Sequence, residues 1–141
     1  METLKVYLGD LTYTTLSLAN EAFPLNIGYV GAYAKDVFGD KVDIELFKYP
    51  EDLERAIIED PPDVLGLSNY PWNHSLDIEF FRLAHELRSD TLCVMGGSNI
   101  PHEAEQQEVF LKSKPEIDVY VYLEGEVGFT KVVDRVLNGG E

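Results

Sequence analysis

Apolar residues along this chain gather into five short runs, separated by stretches with helical spacing. The runs are Leu4–Leu8, Val42–Phe47, Val64–Leu67, Leu92–Met95 and Val119–Tyr122. Four of them are nearly unbroken, as expected of strands whose two faces are both covered by helices. Val42–Phe47 differs, because Val42, Ile44 and Leu46 alternate with Asp43 and Glu45. One of its sides is wet, so it reads as an edge strand. Between the runs, Ile27, Val30, Ala34, Val37 and Phe38 share a face of a first helix that stops at Gly39. Leu53, Ala56 and Ile57 mark a shorter second helix. Leu76, Phe80, Leu83, Ala84 and Leu87 mark a third. A fourth is expected around Glu103–Leu111, between Pro101 and Pro115. Phe129, Val132, Val133, Val136 and Leu137 define the last, closed by Asn138-Gly139-Gly140. Strict alternation of strand and helix implies right-handed crossovers and a parallel sheet. The expected fold is therefore α/β: a flavodoxin-like, Rossmann-type, doubly wound five-stranded sheet of order 2-1-3-4-5. No repeat, low-complexity tract or internal linker interrupts it, so residues 1–141 read as a single domain.

Composition narrows the partners. Lys and Arg number 11 against 26 Asp and Glu, a net charge of −15. Such a chain repels phosphate backbones, which argues against nucleic acid as a partner. No apolar run approaches the roughly 20 residues of a bilayer span, and a signal-peptide pattern is missing from the start. A cytoplasmic protein is the expectation. Cys93 is the one cysteine, so no internal disulfide, no thiolate metal site and no iron–sulfur cluster is expected here, and no Cys/His/carboxylate spacing reads as a metal site. It lies in the apolar run Thr91–Met95 and reads as a buried, inert thiol.

In open α/β sheets, ligands bind beyond the carboxyl ends of the strands, near the point where strand order reverses. Four loops are placed there. The first, from Gly9 and Asp10 through Thr12, Tyr13, Thr14 and Thr15 to Pro24, is long for its type and rich in hydroxyls. The loop after the third strand, Ser68-Asn69-Tyr70-Pro71-Trp72-Asn73-His74-Ser75, sets the single tryptophan beside amides and hydroxyls. That mixture suits a large, flat, partly polar ligand, although Trp72 could instead lid the core. After the fourth strand, Gly96-Gly97-Ser98-Asn99 allows close backbone approach to a ligand. After the fifth, Glu124-Gly125-Glu126 opens the last helix, where carboxylates also favour the helix dipole.

In order and spacing, these segments resemble the cobalamin-binding domain at the N-terminus of cobalamin-dependent radical SAM enzymes. The residues that carry the resemblance are Gly66-Leu67-Ser68 with Trp72-Asn73, and Gly96-Gly97-Ser98-Asn99 with Pro101. Pro115-Glu116-Ile117-Asp118 follows, leading through Tyr120 to Glu124-Gly125-Glu126 and Phe129. Pro24-Leu25-Asn26-Ile27-Gly28-Tyr29 is similar to the family's proline-led start of the first helix. The resemblance implies a corrin ring over the strand ends and a nucleotide tail threaded toward the sheet. It nominates Asp10, Thr12, Ser68, Asn69, Trp72, Asn73, Gly96, Gly97, Ser98, Asn99, Glu124, Gly125 and Glu126 as cofactor-binding residues. Better-known cobalamin domains carry an Asp-x-His-x-x-Gly motif after the first strand. Here Asp10 is followed by Thr12 and no histidine precedes His74, so base-off binding without a histidine under cobalt is expected. The three-cysteine motif of radical SAM chemistry is missing too. An iron–sulfur cluster and S-adenosylmethionine would belong to a C-terminal radical SAM domain; the chain is expected to be a domain excised from such a longer protein, with a stand-alone carrier as the alternative.

Rival readings find less support. A Ser68–His74–Asp77 triad can be written down without the strained elbow that activates a serine. A phosphoacceptor receiver domain would want an aspartate where Ser68 stands and a lysine where Leu123 stands. A stand-alone flavodoxin-like module that binds a nucleotide cofactor or a protein partner is the remaining alternative.

Overall fold

The computed structural model describes residues 2–12, 25–122 and 125–139. Five parallel strands, β1 (Leu4–Gly9), β2 (Val42–Phe47), β3 (Val64–Ser68), β4 (Leu92–Gly96) and β5 (Val119–Val121), form one sheet of order β2-β1-β3-β4-β5. Five helices connect them: α1 (Leu25–Phe38), α2 (Pro50–Glu59), α3 (His74–Leu87), α4 (Ala104–Lys112) and α5 (Gly125–Leu137). The expected flavodoxin-like order is the observed one, with the alternating strand β2 at an edge. Asp43 and Glu45 are exposed on β2, while Val42 and Phe47 are buried.

Strand side chains alternate between two apolar layers. Val6, Leu8, Val64 and Val94 face α1 and α5, together with Ile27, Ala34, Phe129 and Val133. Tyr7, Leu65, Leu67, Cys93 and Met95 face the other way, against Leu53 and Ile57 of α2 and Ile78, Phe80, Phe81 and Ala84 of α3. Helix α1 ends as expected at Gly39, whose φ of +56° turns the chain out of the helix.

Two expected core positions are surface ones. Val37 and Leu87, each in the last turn of its helix, are exposed. The buried stripe of α3 instead runs through Asp77, Ile78, Phe80, Phe81 and Ala84. Among the described residues, no helix is long and apolar enough to cross a membrane.

Candidate functional site

The site is a hollow in the layer between the sheet and helices α1 and α5. On β3 the residues on this face are Val64, Gly66 and Ser68; on β4 they are Val94 and Gly96. In register, Gly66 pairs with Val94 and Ser68 with Gly96. Two glycines at neighbouring positions withdraw side chains from a layer that valines and leucines otherwise fill. The result is a cleft of about 170 Å³ at the carboxyl ends of the strands. Its floor is Leu8, Gly66, Ser68, Val94 and Gly96, and its walls are Asn26, Ile27 and Val30 of α1 and Gly125, Glu126 and Phe129 of α5. Tyr70, Gly97 and Val121 complete it.

The two glycines are not equivalent. A Cβ on Gly66 would lie 2.7 Å from Cδ2 of Leu8, so a side chain there would have to push the end of Leu8 aside. A Cβ on Gly96 would meet nothing nearer than the Val121 carbonyl at 3.7 Å, an ordinary contact. Gly97 is constrained by its backbone. Its φ is +119°, and an added Cβ would stand 2.7 Å from the Asn69 carbonyl oxygen. Gly97→Ala is therefore expected to lower stability by about 1–3 kcal/mol, read as a shifted urea midpoint; an unchanged midpoint would contradict this geometry.

Of the residues nominated from sequence, Ser68, Gly96, Gly97, Gly125 and Glu126 line the cleft. Asn69, Asn73 and Asn99 do not, and their amides are used internally. Asn69 is fully buried; its backbone N–H bonds the Gly96 carbonyl and its amide donates to the Asn99 carbonyl at 2.8 Å. Its Oδ1 accepts from Asn99 and from His74 Nδ1. Asn73, also fully buried, accepts from the Tyr70 N–H and donates to the Leu11 carbonyl, tying the β3 loop to the β1 loop. These amides position the loops that carry the cleft.

Ser98 and Asn99 line a separate hollow with His74, Ile100, Pro101 and Phe110, on the α4 side. His74 is thus turned away from the cleft, and burial and nearby Lys114 pull its pKa down. Its Nδ1 serves Asn69 and not Asp77, so no Ser68–His74–Asp77 triad exists. Trp72 does not lid the core: it is 59% exposed and stacks on Tyr70 with ring centres 4.6 Å apart. Asp10 and Thr12 follow β1, with their N–H groups bonded to the Phe47 and Lys48 carbonyls. Burial raises the Asp10 carboxyl pKa, opposed by Lys48. Glu124 and the greater part of the loop after β1, residues 13–24, lie outside the described residues.

Two features were missed from sequence. Asn26 donates a hydrogen bond to the Tyr70 hydroxyl, joining α1 to the β3 loop where both border the cleft. Asp77 is fully buried, and neither of its oxygens has a hydrogen-bond partner among the described residues. Burial, with the negative charge of Asp10, holds its pKa well above the ordinary carboxylate range. Its spacing of three, four and seven residues from Phe80, Phe81 and Ala84 was the available signal.

Comparison with known proteins places the chain in a family. The B12 binding domain family matches residues 12–133. The chain belongs to the B12-binding domain family. It is 34% identical over 83 residues to the cobalamin-dependent radical SAM methyltransferase TokK of Streptomyces tokunonensis, a match covering 59% of this chain and 12% of that protein. It is 38% identical over 72 residues to the 2-(S-pantetheinyl)-carbapenam-3-carboxylate methyltransferase of Streptantibioticus cattleyicolor, covering 51% of this chain and 10% of that one. The chain thus spans about a tenth of the length of these curated relatives. Among solved structures, a cobalamin-binding protein from Desulfitobacterium hafniense DCB-2 has the same fold. Its TM-score is 0.65 at 14% identity, over 94% of this chain and 58% of that one. This B12-binding domain is similar to those of radical SAM methyltransferases.

Proposed function

We propose that this B12-binding domain holds cobalamin base-off in the cleft between α1 and α5, with no histidine beneath the cobalt, as the cofactor module of a radical SAM methyltransferase. The observation that carries the reading is the cleft that Gly66 and Gly96 line, with open space over Gly96, in an otherwise filled apolar layer. It fits the nucleotide tail, which needs apolar walls and a few polar groups. Ile27, Val30, Val94 and Phe129 supply the walls. The Ser68 hydroxyl and the Asn26 and Tyr70 side chains offer hydrogen bonds to its polar atoms, and the glycine backbones of 96, 97 and 125 permit close approach. The stacked Tyr70–Trp72 pair offers flat apolar area to the corrin. Bound cobalamin would supply cobalt-centred methyl-transfer chemistry. S-adenosylmethionine and an iron–sulfur cluster would be held by a separate radical SAM domain, since Cys93 alone cannot anchor a cluster.

The test is titration of the purified chain with hydroxocobalamin under anaerobic, reducing conditions, followed by gel filtration. Corrinoid absorbance that co-elutes at one per chain, with a base-off spectrum, is expected; protein free of corrinoid would overturn the reading. Trp72→Ala refines it. An exposed ring that loses one stacking partner should lower stability by only about 0.5–1.5 kcal/mol. Corrinoid affinity should fall roughly tenfold, equivalent to about 1.4 kcal/mol. An affinity unchanged by the substitution would remove Trp72 from the site.

A further inference from the structure

At the opposite end of the strands, three elements bring together groups that no local spacing announces. Cys93 is the second residue of β4, Asp118 immediately precedes β5, and His85 lies near the end of α3. One donor atom from each (Sγ, a carboxylate oxygen and an imidazole nitrogen) falls within 4.8 Å of the other two. It is the one cluster of three such donors among the described residues. Asp118 Oδ2 stands 3.1 Å from His85 Nε2 and accepts the Cys93 N–H at 2.8 Å. Both contacts fall on Oδ2, and Oδ1 makes none among the described residues.

We propose that His85, Cys93 and Asp118 form a zinc site at the amino end of the sheet, separate from the cofactor cleft. One thiolate, one imidazole and one carboxylate is a donor set that tetrahedral Zn²⁺ accepts, with bonds of about 2.0–2.3 Å. Such bonds require donors about 3.3–3.8 Å apart. The observed spread therefore closes by roughly 1 Å on binding. His85 and Asp118 are both partly exposed and have room to turn, while buried Cys93 is the fixed point. The charges balance: a thiolate and a carboxylate neutralise the divalent ion. The thiol proton leaves to solvent as the metal–sulfur bond forms. Water takes the fourth position on the exposed side. The ion would tie α3 to the β4 and β5 strand starts, adding to the link that the His85–Asp118 and Arg82–Glu116 contacts already make.

The chain, stripped with a chelator, is titrated with Zn²⁺ by calorimetry, and with Co²⁺ as the spectroscopic probe. The expected result is one ion per chain, a thiolate-to-cobalt charge-transfer band in the near ultraviolet, and a raised Tm in the presence of Zn²⁺. Cys93→Ser should remove the band. His85→Gln, at a partly exposed position where folding is not at risk, should weaken binding by roughly a hundredfold or more. Binding well below one ion per chain, or Co²⁺ spectra without the sulfur band, would overturn the site. So would an affinity that His85→Gln leaves unchanged. Corrinoid binding is read separately, so failure here leaves the cleft assignment standing.

Discussion

Gly96→Val is expected to abolish corrinoid binding while leaving the domain folded. The position tolerates a Cβ, because its nearest neighbour would be the Val121 carbonyl at 3.7 Å. Valine also suits a parallel strand. The branched side chain, however, would project into the cleft that Gly96 helps to line. Filling a site of about 170 Å³ with two methyl groups leaves too little room for an aromatic base between Val94, Val121 and Phe129. Affinity should fall by at least about a hundredfold, or roughly 2.7 kcal/mol, with a circular-dichroism spectrum and Tm close to those of the parent. Gly97→Ala is the contrasting control, since it should lower stability through backbone strain. If Gly96→Val retains corrinoid at full stoichiometry, the cleft is not where the cofactor sits.

The second large effect concerns Asp77. Its carboxyl is fully buried, without a partner among the described residues, and Asp10 adds a like charge nearby. An unfolded aspartate releases its proton at about pH 3.9, whereas the folded chain keeps this one to well above that. Folding thus takes up a proton throughout the window above about pH 4. Stability should fall as pH rises through that window, by up to about 1.4 kcal/mol per pH unit, and level off above the folded-state pKa. Asp77→Asn cannot ionise and should remove that slope. At neutral pH and above, it should be the more stable protein by about 1–3 kcal/mol, the usual penalty of an uncompensated buried polar group. Urea melts at several pH values would decide. Parallel profiles for the two proteins would mean that Asp77 has a partner or lies in water.

Much of the fold was legible because burial on both faces of a parallel sheet leaves a plain trace. Unbroken apolar runs gave β1, β3, β4 and β5, and the Asp43–Glu45 alternation marked β2 as an edge. Val37 and Leu87 were misjudged because helical periodicity marks an apolar face without saying how much of it is covered. The cleft was half legible. Gly96 and Gly97 stand out after an apolar strand, but the role of Gly66 depends on its cross-strand register with Val94, which no local pattern encodes. Asn69 and Asn73 were read as ligand groups because amides near a site look alike in sequence, whether they face the ligand or brace the loop. Asp77 was weighed only as the acid of a triad, and its burial on the apolar stripe of α3 went unread. The His85–Cys93–Asp118 cluster is assembled from three separate elements and had no sequence signature at all.

The place of β1 in the sheet has a consequence for how the chain comes to be folded. It precedes the other four strands in the chain, yet it ends inside the sheet, with Val6 beside Ile44 on one side and Val64 on the other. Until β3 exists, an almost wholly apolar segment has one flank unpaired. Pairings over such sequence distances slow folding and prolong exposure of sticky intermediates. The surplus of acidic side chains, which says little about what the finished domain binds, is well suited to that interval. Like charge on every copy repels half-made chains from one another while β1 waits for its second neighbour.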